Sequence, residues 1–125
     1  MISNGTVLLI DNDNNQNISN RGVLERKRYT VYTATDIACA RNMIWETEPD
    51  VIVMEAVLPD GDGFAFCQEI RGQTTAYIFF LTSKADSAKM GFRSGGDMYI
   101  TKPFHMPEFV ARVEIAMRRR REGYA

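Results

Sequence analysis

The run Val51-Ile52-Val53-Met54 constrains this chain more than any other stretch: consecutive apolar residues, mostly β-branched, entered through Pro49-Asp50 and left through Pro59-Asp60-Gly61-Asp62-Gly63. A strand with no polar alternation is covered on both faces, the pattern of a parallel sheet flanked by helices. Its direction puts Glu55 at the strand's carboxyl end, where open α/β sheets collect ligands and chemistry. A solvated carboxylate at a loop start is the bland reading of one such acid, so the question is what accompanies it.

The same unit recurs along the chain. Thr6-Val7-Leu8-Leu9-Ile10 runs into Asp11-Asn12-Asp13, Tyr29 to Ala34 has the aromatic and β-branched content of a strand, Tyr77 to Leu81 stops at Thr82-Ser83, and Met98 to Thr101 stops at Lys102-Pro103. Between them lie helical stretches. Residues 14–27 are rich in Asn, carry Gly22 and offer Ile18, Val23 and Leu24 as apolar anchors. Ile37, Ala40 and Ile44 recur behind a Thr35/Asp36 start signal, and Phe66, Cys67 and Ile70 precede Gly72. A short helix is expected around Ser87 to Arg93, ending at Gly95-Gly96. The last begins near Met106, with Pro107 in its first turn and Phe109, Val110, Val113, Ala116 and Met117 on one side. Strands alternating with five flanking helices predict a doubly wound parallel sheet of the α/β class.

At 125 residues the chain is one domain. Its 15 Lys plus Arg against 16 Asp plus Glu leave no overall charge footprint for nucleic acid or an anionic membrane. Cys39 and Cys67 lie far apart with a single His, His105, which fits reduced thiols in a cytosol better than a disulfide or a zinc site. Val7 to Ile10 is too short for a signal or spanning helix, so a cytoplasmic protein is expected. Arg118 to Arg121 read as a solvated helix end that complements the dipole, with a nucleic-acid patch as the alternative. Asp11 to Ile18 imitates half of an EF-hand loop, but Gln16 and Gly22 stand where the turn Gly and the bidentate Glu belong.

Polar groups thus close every strand that matters: Asp11 and Asn12, Glu55, Thr82 with Ser83, and Lys102. Together with Leu58-Pro59-Asp60-Gly61-Asp62-Gly63-Phe64, Phe80-Leu81-Thr82 and Tyr99-Ile100-Thr101-Lys102-Pro103-Phe104, this order resembles the bacterial response-regulator receiver domain over nearly the whole chain. The resemblance implies a flavodoxin-like sheet of strand order 2-1-3-4-5. It also implies a phosphoryl-transfer site in which the residue matching Glu55 is an Asp that accepts a phosphoryl group from a sensor histidine kinase. Acids matching Asp11 and Asn12, with the carbonyl matching Val57, would hold Mg²⁺; groups matching Thr82 and Lys102 would bind the phosphoryl oxygens, and Tyr99 would follow Thr82 inward.

Two positions depart from that pattern. Glu55 is a methylene longer than Asp, and a shift of that size lowers an in-line transfer by roughly a hundredfold. Asn12 replaces an anionic metal ligand, so Mg²⁺ binding is expected to be weak or absent. Glu55 then reads as a built-in stand-in for a phosphorylated Asp, reaching Lys102 and Thr82, or as an inert remnant paired with Lys102. The spacing from Thr82 to Gly91 is also about two residues shorter than is usual, judged by the resemblance.

Phe104 to Arg119 looks most like receivers that precede a winged-helix DNA-binding domain. The expectation is a receiver over residues 1–121, the start of a tail at 122–125, and DNA contact only through an output domain that this chain lacks. Such receivers pair through their fourth helix, fifth strand and fifth helix; Lys89, Asp97, Glu108 and Arg112 are the charges placed on that homodimer face, with Met98 in place of a further acid. No enzymatic activity and no membrane contact are expected. The competing enzyme class is a haloacid-dehalogenase-type phosphatase with Asp11 as nucleophile and Asp13 as general acid; against it stand Asn15, the missing later acidic pair and the short chain.

Overall fold

The computed structural model describes residues 2–83 and 93–123. In chain order the elements are β1 (Thr6–Ile10), α1 (Asn14–Arg26), β2 (Thr30–Ala34), α2 (Ile37–Thr47), β3 (Val51–Met54), β4 (Val57–Leu58), β5 (Gly61–Asp62), α3 (Gly63–Ile70), β6 (Tyr77–Thr82), β7 (Met98–Thr101) and α4 (Met106–Glu122). Five strands form one parallel sheet of order β2-β1-β3-β6-β7. The expected order 2-1-3-4-5 is altered in numbering by β4 and β5, a hairpin of two-residue strands where the sequence suggested only a turn. The predicted short helix around Ser87 to Arg93 lies, save Arg93, outside the described residues, as does the shortened spacing before Gly91. Four helices, not five, therefore stand among the described residues.

Successive side chains along each strand take opposite faces and divide the core in two. Val7, Leu9, Val51, Val53, Phe79 and Leu81 face Leu24 of α1 and Phe109, Val113, Ala116 and Met117 of α4. Leu8, Ile10, Ile52, Met54, Ile78 and Phe80 face Ile37 and Ala40 of α2 and Phe64, Phe66, Cys67 and Ile70 of α3. The period of two in the sheet, met by helices on both sides, is the physical content of a doubly wound fold.

Helix α1 corrects the sequence reading. Ile18 is 62% exposed, while Asn17 and Asn20 are buried with Leu24. The buried face is thus made partly of amides, and Asn17 is satisfied there by donating to the carbonyls of Asp11 (2.9 Å) and Ala34 (3.3 Å). Asp13 caps the helix, accepting from the Asn15 and Gln16 amides. Met98 is corrected as well: it lies in the core beside Ile100 and not on an outer face.

Candidate functional site

Parallel register brings the strand ends to one edge, where Ile10, Met54, Phe80 and Tyr99 are successive cross-strand partners. The residues just beyond them are Asp11, Glu55 and Lys102, with Thr82 closing β6 opposite Thr101. Backbone bonds fix this edge. The amide of Asp11 donates to Ala34, that of Glu55 to Ile10 and that of Lys102 to Thr82.

Glu55 is 4% exposed and Thr82 is fully buried. One carboxylate oxygen of Glu55, Oε1, accepts a short hydrogen bond from Thr82 Oγ1 and another, at 3.2 Å, from the amide of Val57. The other, Oε2, lies 3.0 Å from Lys102 Nζ, and that ammonium is 2.5 Å from Asp11 Oδ2. A hydroxyl, a backbone N–H and an ammonium therefore converge on one anionic group, as charge-assisted donors do around a carboxylate or phosphoryl oxygen. Burial alone would push the Lys102 ammonium down, but hydrogen bonds and attraction from Asp11 and Glu55 hold it above its ordinary value of 10.5.

A hard divalent cation fits this donor set poorly. Asp11 Oδ1 accepts from the Asp13 amide at 2.9 Å and Oδ2 is held by Lys102, so both oxygens of the one nearby anionic ligand besides Glu55 are engaged. Asn12 is exposed and contributes only a neutral amide, and the backbone carbonyl of Val57 would likewise add only a neutral oxygen. Among the described residues no group of three or more His, Cys, Asp or Glu is arranged for a metal.

Ser83 is exposed and, with Gln16, Lys102, Pro103, Phe104 and Met106, lines a shallow concavity beside the site. Tyr99 is half-buried and packs against the core cluster that contains Phe80. Asp97 is not free on an outer face: Arg71 lies 3.2 Å from its Oδ2, which also accepts from the Ile78 amide at 2.8 Å. Glu108 is exposed and Arg112 half-buried on α4, while Lys89 lies outside the described residues. Asp13, the general acid of the phosphatase reading, is engaged in capping α1, and the nucleophile of that reading, Asp11, is paired with Lys102.

Several contributors escape a reading of the sequence. Asn17 ties α1 to the ends of β1 and β2; the spacing of Asn17, Asn20 and Leu24 places them on one helix face, a signal that apolar counting discards. Asp60, at the tip of the β4–β5 hairpin, accepts from the Ile37 and Ala38 amides at 2.8 and 3.0 Å and so caps α2 from across the site. Those bonds hold its carboxyl below the ordinary range. Gly63 must be Gly because a Cβ there would lie 2.5 Å from the Glu55 carbonyl oxygen and 2.9 Å from Ala56 Cα.

The family described as the response regulator receiver domain matches residues 7–114. Among solved structures, the chain is similar to a two-component response regulator from Clostridium difficile at 32% identity and a TM-score of 0.87, covering 92% of this chain and 97% of that one. A putative response regulator from Chloroflexus aurantiacus is 30% identical, with a TM-score of 0.85 over 92% and 98% of the two chains. The non-phosphorylated HemR receiver domain from Leptospira biflexa is also 30% identical, with a TM-score of 0.83 over 90% and 94%.

Proposed function

The chain belongs to the response regulator receiver domain family of two-component signal transduction, and on that premise we propose that it signals without phosphorylation, Glu55 standing in for a phosphorylated aspartate. The observation that carries this reading is that the Glu55 carboxylate already engages Thr82, the Val57 amide and Lys102 together. In the receivers this chain resembles, the groups matching Thr82 and Lys102 bind the phosphoryl oxygens. Asn12 supports it too, because with one carboxylate fewer Lys102 bridges both that remain, Asp11 and Glu55, and less negative charge is left to call for a divalent cation.

The signal would leave through the β7–α4 side. Tyr99 reports the state of Thr82, and Glu108 and Arg112 supply charge to a homodimer face that also includes Lys89; Asp97, held by Arg71, contributes little. Exposed ion pairs add on the order of 1 kcal/mol or less each, so the dimer is weak. Residues 1–121 form the receiver and 122–125 begin a tail; transcription is controlled through a winged-helix output domain in another segment, with a histidine kinase as a dispensable partner.

Glu55→Gln tests the reading, since it keeps size and removes charge. Without any phosphodonor it should shift NMR resonances of Thr82 and Tyr99 and weaken self-association, because only a charge that interacts differently with two states moves their populations. Intact mass of the parent after acetyl phosphate with Mg²⁺ should show no added phosphoryl group. Unchanged Thr82 and Tyr99 resonances in Glu55→Gln would make Glu55 a structural remnant.

A further inference from the structure

We propose that a small cavity between α1 and the sheet binds one water molecule through Asn17 and Asn20, and that this water makes the two asparagines positioning residues for Glu55, given the reading of Glu55 as the anion that carries the signal. The cavity measures about 10 Å³, and Asp11, Asn17, Asn20 and Glu55 line it together with Val53 and Leu81. That is about the space one water needs, and too little for an organic ligand.

The two asparagines are 1% and 3% exposed, and each uses only one end of its amide inside the protein. Asn20 Oδ1 accepts from Gln16 Nε2 at 3.0 Å, while its Nδ2 donates to no group among the described residues. Asn17 is the reverse: its Nδ2 is taken by the carbonyls of Asp11 and Ala34, and its Oδ1 accepts from none of the described residues. Among the described residues Arg120 Nε is the one side-chain nitrogen or oxygen both sealed and unpartnered, so the free ends of Asn17 and Asn20 open onto the cavity. Polar groups buried this deeply are almost always paired, with ordered water where protein supplies no partner.

The mixture of groups sets the occupant. Asn20 Nδ2 needs an acceptor and Asn17 Oδ1 a donor, and a water molecule is both; a metal cation has no lone pair for Nδ2. The third contact is the carboxylate. Glu55 Oε1 already accepts from Thr82 and from the Val57 amide, whereas Oε2 has Lys102, which leaves it room for the second hydrogen of the water. Asp11 borders the cavity with its own oxygens engaged by the Asp13 amide and Lys102. A water so held has three partners, the usual number for a buried one. It joins α1 to the anion that Thr82 and Lys102 grip, so α1 responds to the charge at position 55.

The test is a crystal structure of the full chain at a resolution that shows ordered water, together with carboxyl-carbon NMR of Glu55. One water should lie within about 3 Å of Asn20 Nδ2, Asn17 Oδ1 and Glu55 Oε2, and crystals soaked in thallium(I) should show no anomalous peak there. Asn20→Leu, of similar length but apolar, should expel the water and shift the Glu55 carboxyl resonance. Asn20→Ser, which keeps a donor, should bring both back towards the parent, and Ile18→Ser, on the exposed face of the same helix, should change neither. The parent crystals decide the water by themselves should Asn20→Leu not fold. A cavity without water, a thallium peak in it, or a Glu55 resonance equal in Asn20→Leu and the parent would each overturn the proposal. The stand-in reading falls on a different result, unchanged Thr82 and Tyr99 resonances in Glu55→Gln, so the two failures are told apart.

Discussion

At the level of single residues, the proposed reading turns on the length of Glu55 and the neutral amide of Asn12. The added length of Glu55 lets its carboxylate meet the Thr82 hydroxyl and the Lys102 ammonium, and Asn12 leaves Asp11 as the nearby acid that shares that ammonium. Reversing both changes tests whether they act as a pair. In Glu55→Asp with Asn12→Asp, the shorter side chain withdraws from Lys102 and a second carboxylate returns, so the strand ends repel and favour a divalent cation. Calorimetric titration should show Mg²⁺ binding in the double variant, weaker binding in Asn12→Asp alone, and little in the parent. The identities of Asp11, Glu55, Thr82 and Lys102 as strand-end groups were legible because each follows an apolar run. The Val57 amide on Glu55 was not, since a backbone donor has no letter of its own.

At the level of elements, what the sequence reveals follows how each element is buried. Strands covered on both faces, such as β3 and β6, show as unbroken apolar runs, and α4 shows a clean stripe whose residues from Phe109 to Met117 are those found in the core. Helix α1 does not, because Asn17 and Asn20 occupy its inner face and Ile18 its outer one. The β4–β5 hairpin is invisible for another reason: pairs such as Val57 with Asp62 bury little and leave no periodicity. That hairpin nonetheless positions the site, through Asp60 on α2 and through Gly63 against the backbone of Glu55 and Ala56. Gly63→Ala should destabilise the domain by about 1–3 kcal/mol in urea unfolding, as overpacking against backbone does, and should broaden the Glu55 and Thr82 resonances. Ala at Gly72, where a Cβ meets nothing within 4 Å, is the matched control and should change stability by less than about 1 kcal/mol.

For the molecule as a whole, the shifted ionisations fall on two sides of neutrality. Bonds from Ile37 and Ala38 lower Asp60, so its contribution is present above its ordinary value of 3.8 and is lost as pH falls through the depressed one. On the other side burial raises Cys67, Tyr29 and Tyr77, the last two helped by Glu114 and Asp97, while Asp11 and Glu55 raise Lys102 against its burial. A raised group stabilises the fold fully below its unfolded value and loses that effect as pH rises through the folded one. The ordinary values are 9.0 for Cys67, 10.0 for the tyrosines and 10.5 for Lys102, so the alkaline loss should start near the first and steepen past the last. Lys102→Met isolates the one cation in that set. It leaves Asp11 and Glu55 unpaired, at 9% and 5% side-chain exposure, and should lower neutral-pH stability by about 3 kcal/mol. The alkaline decline of its melting temperature should then be shallower than the parent's, because the group that loses its proton in that window is gone. An alkaline limb as steep in Lys102→Met as in the parent would mean that the ammonium between Asp11 and Glu55 does not hold this edge of the sheet together.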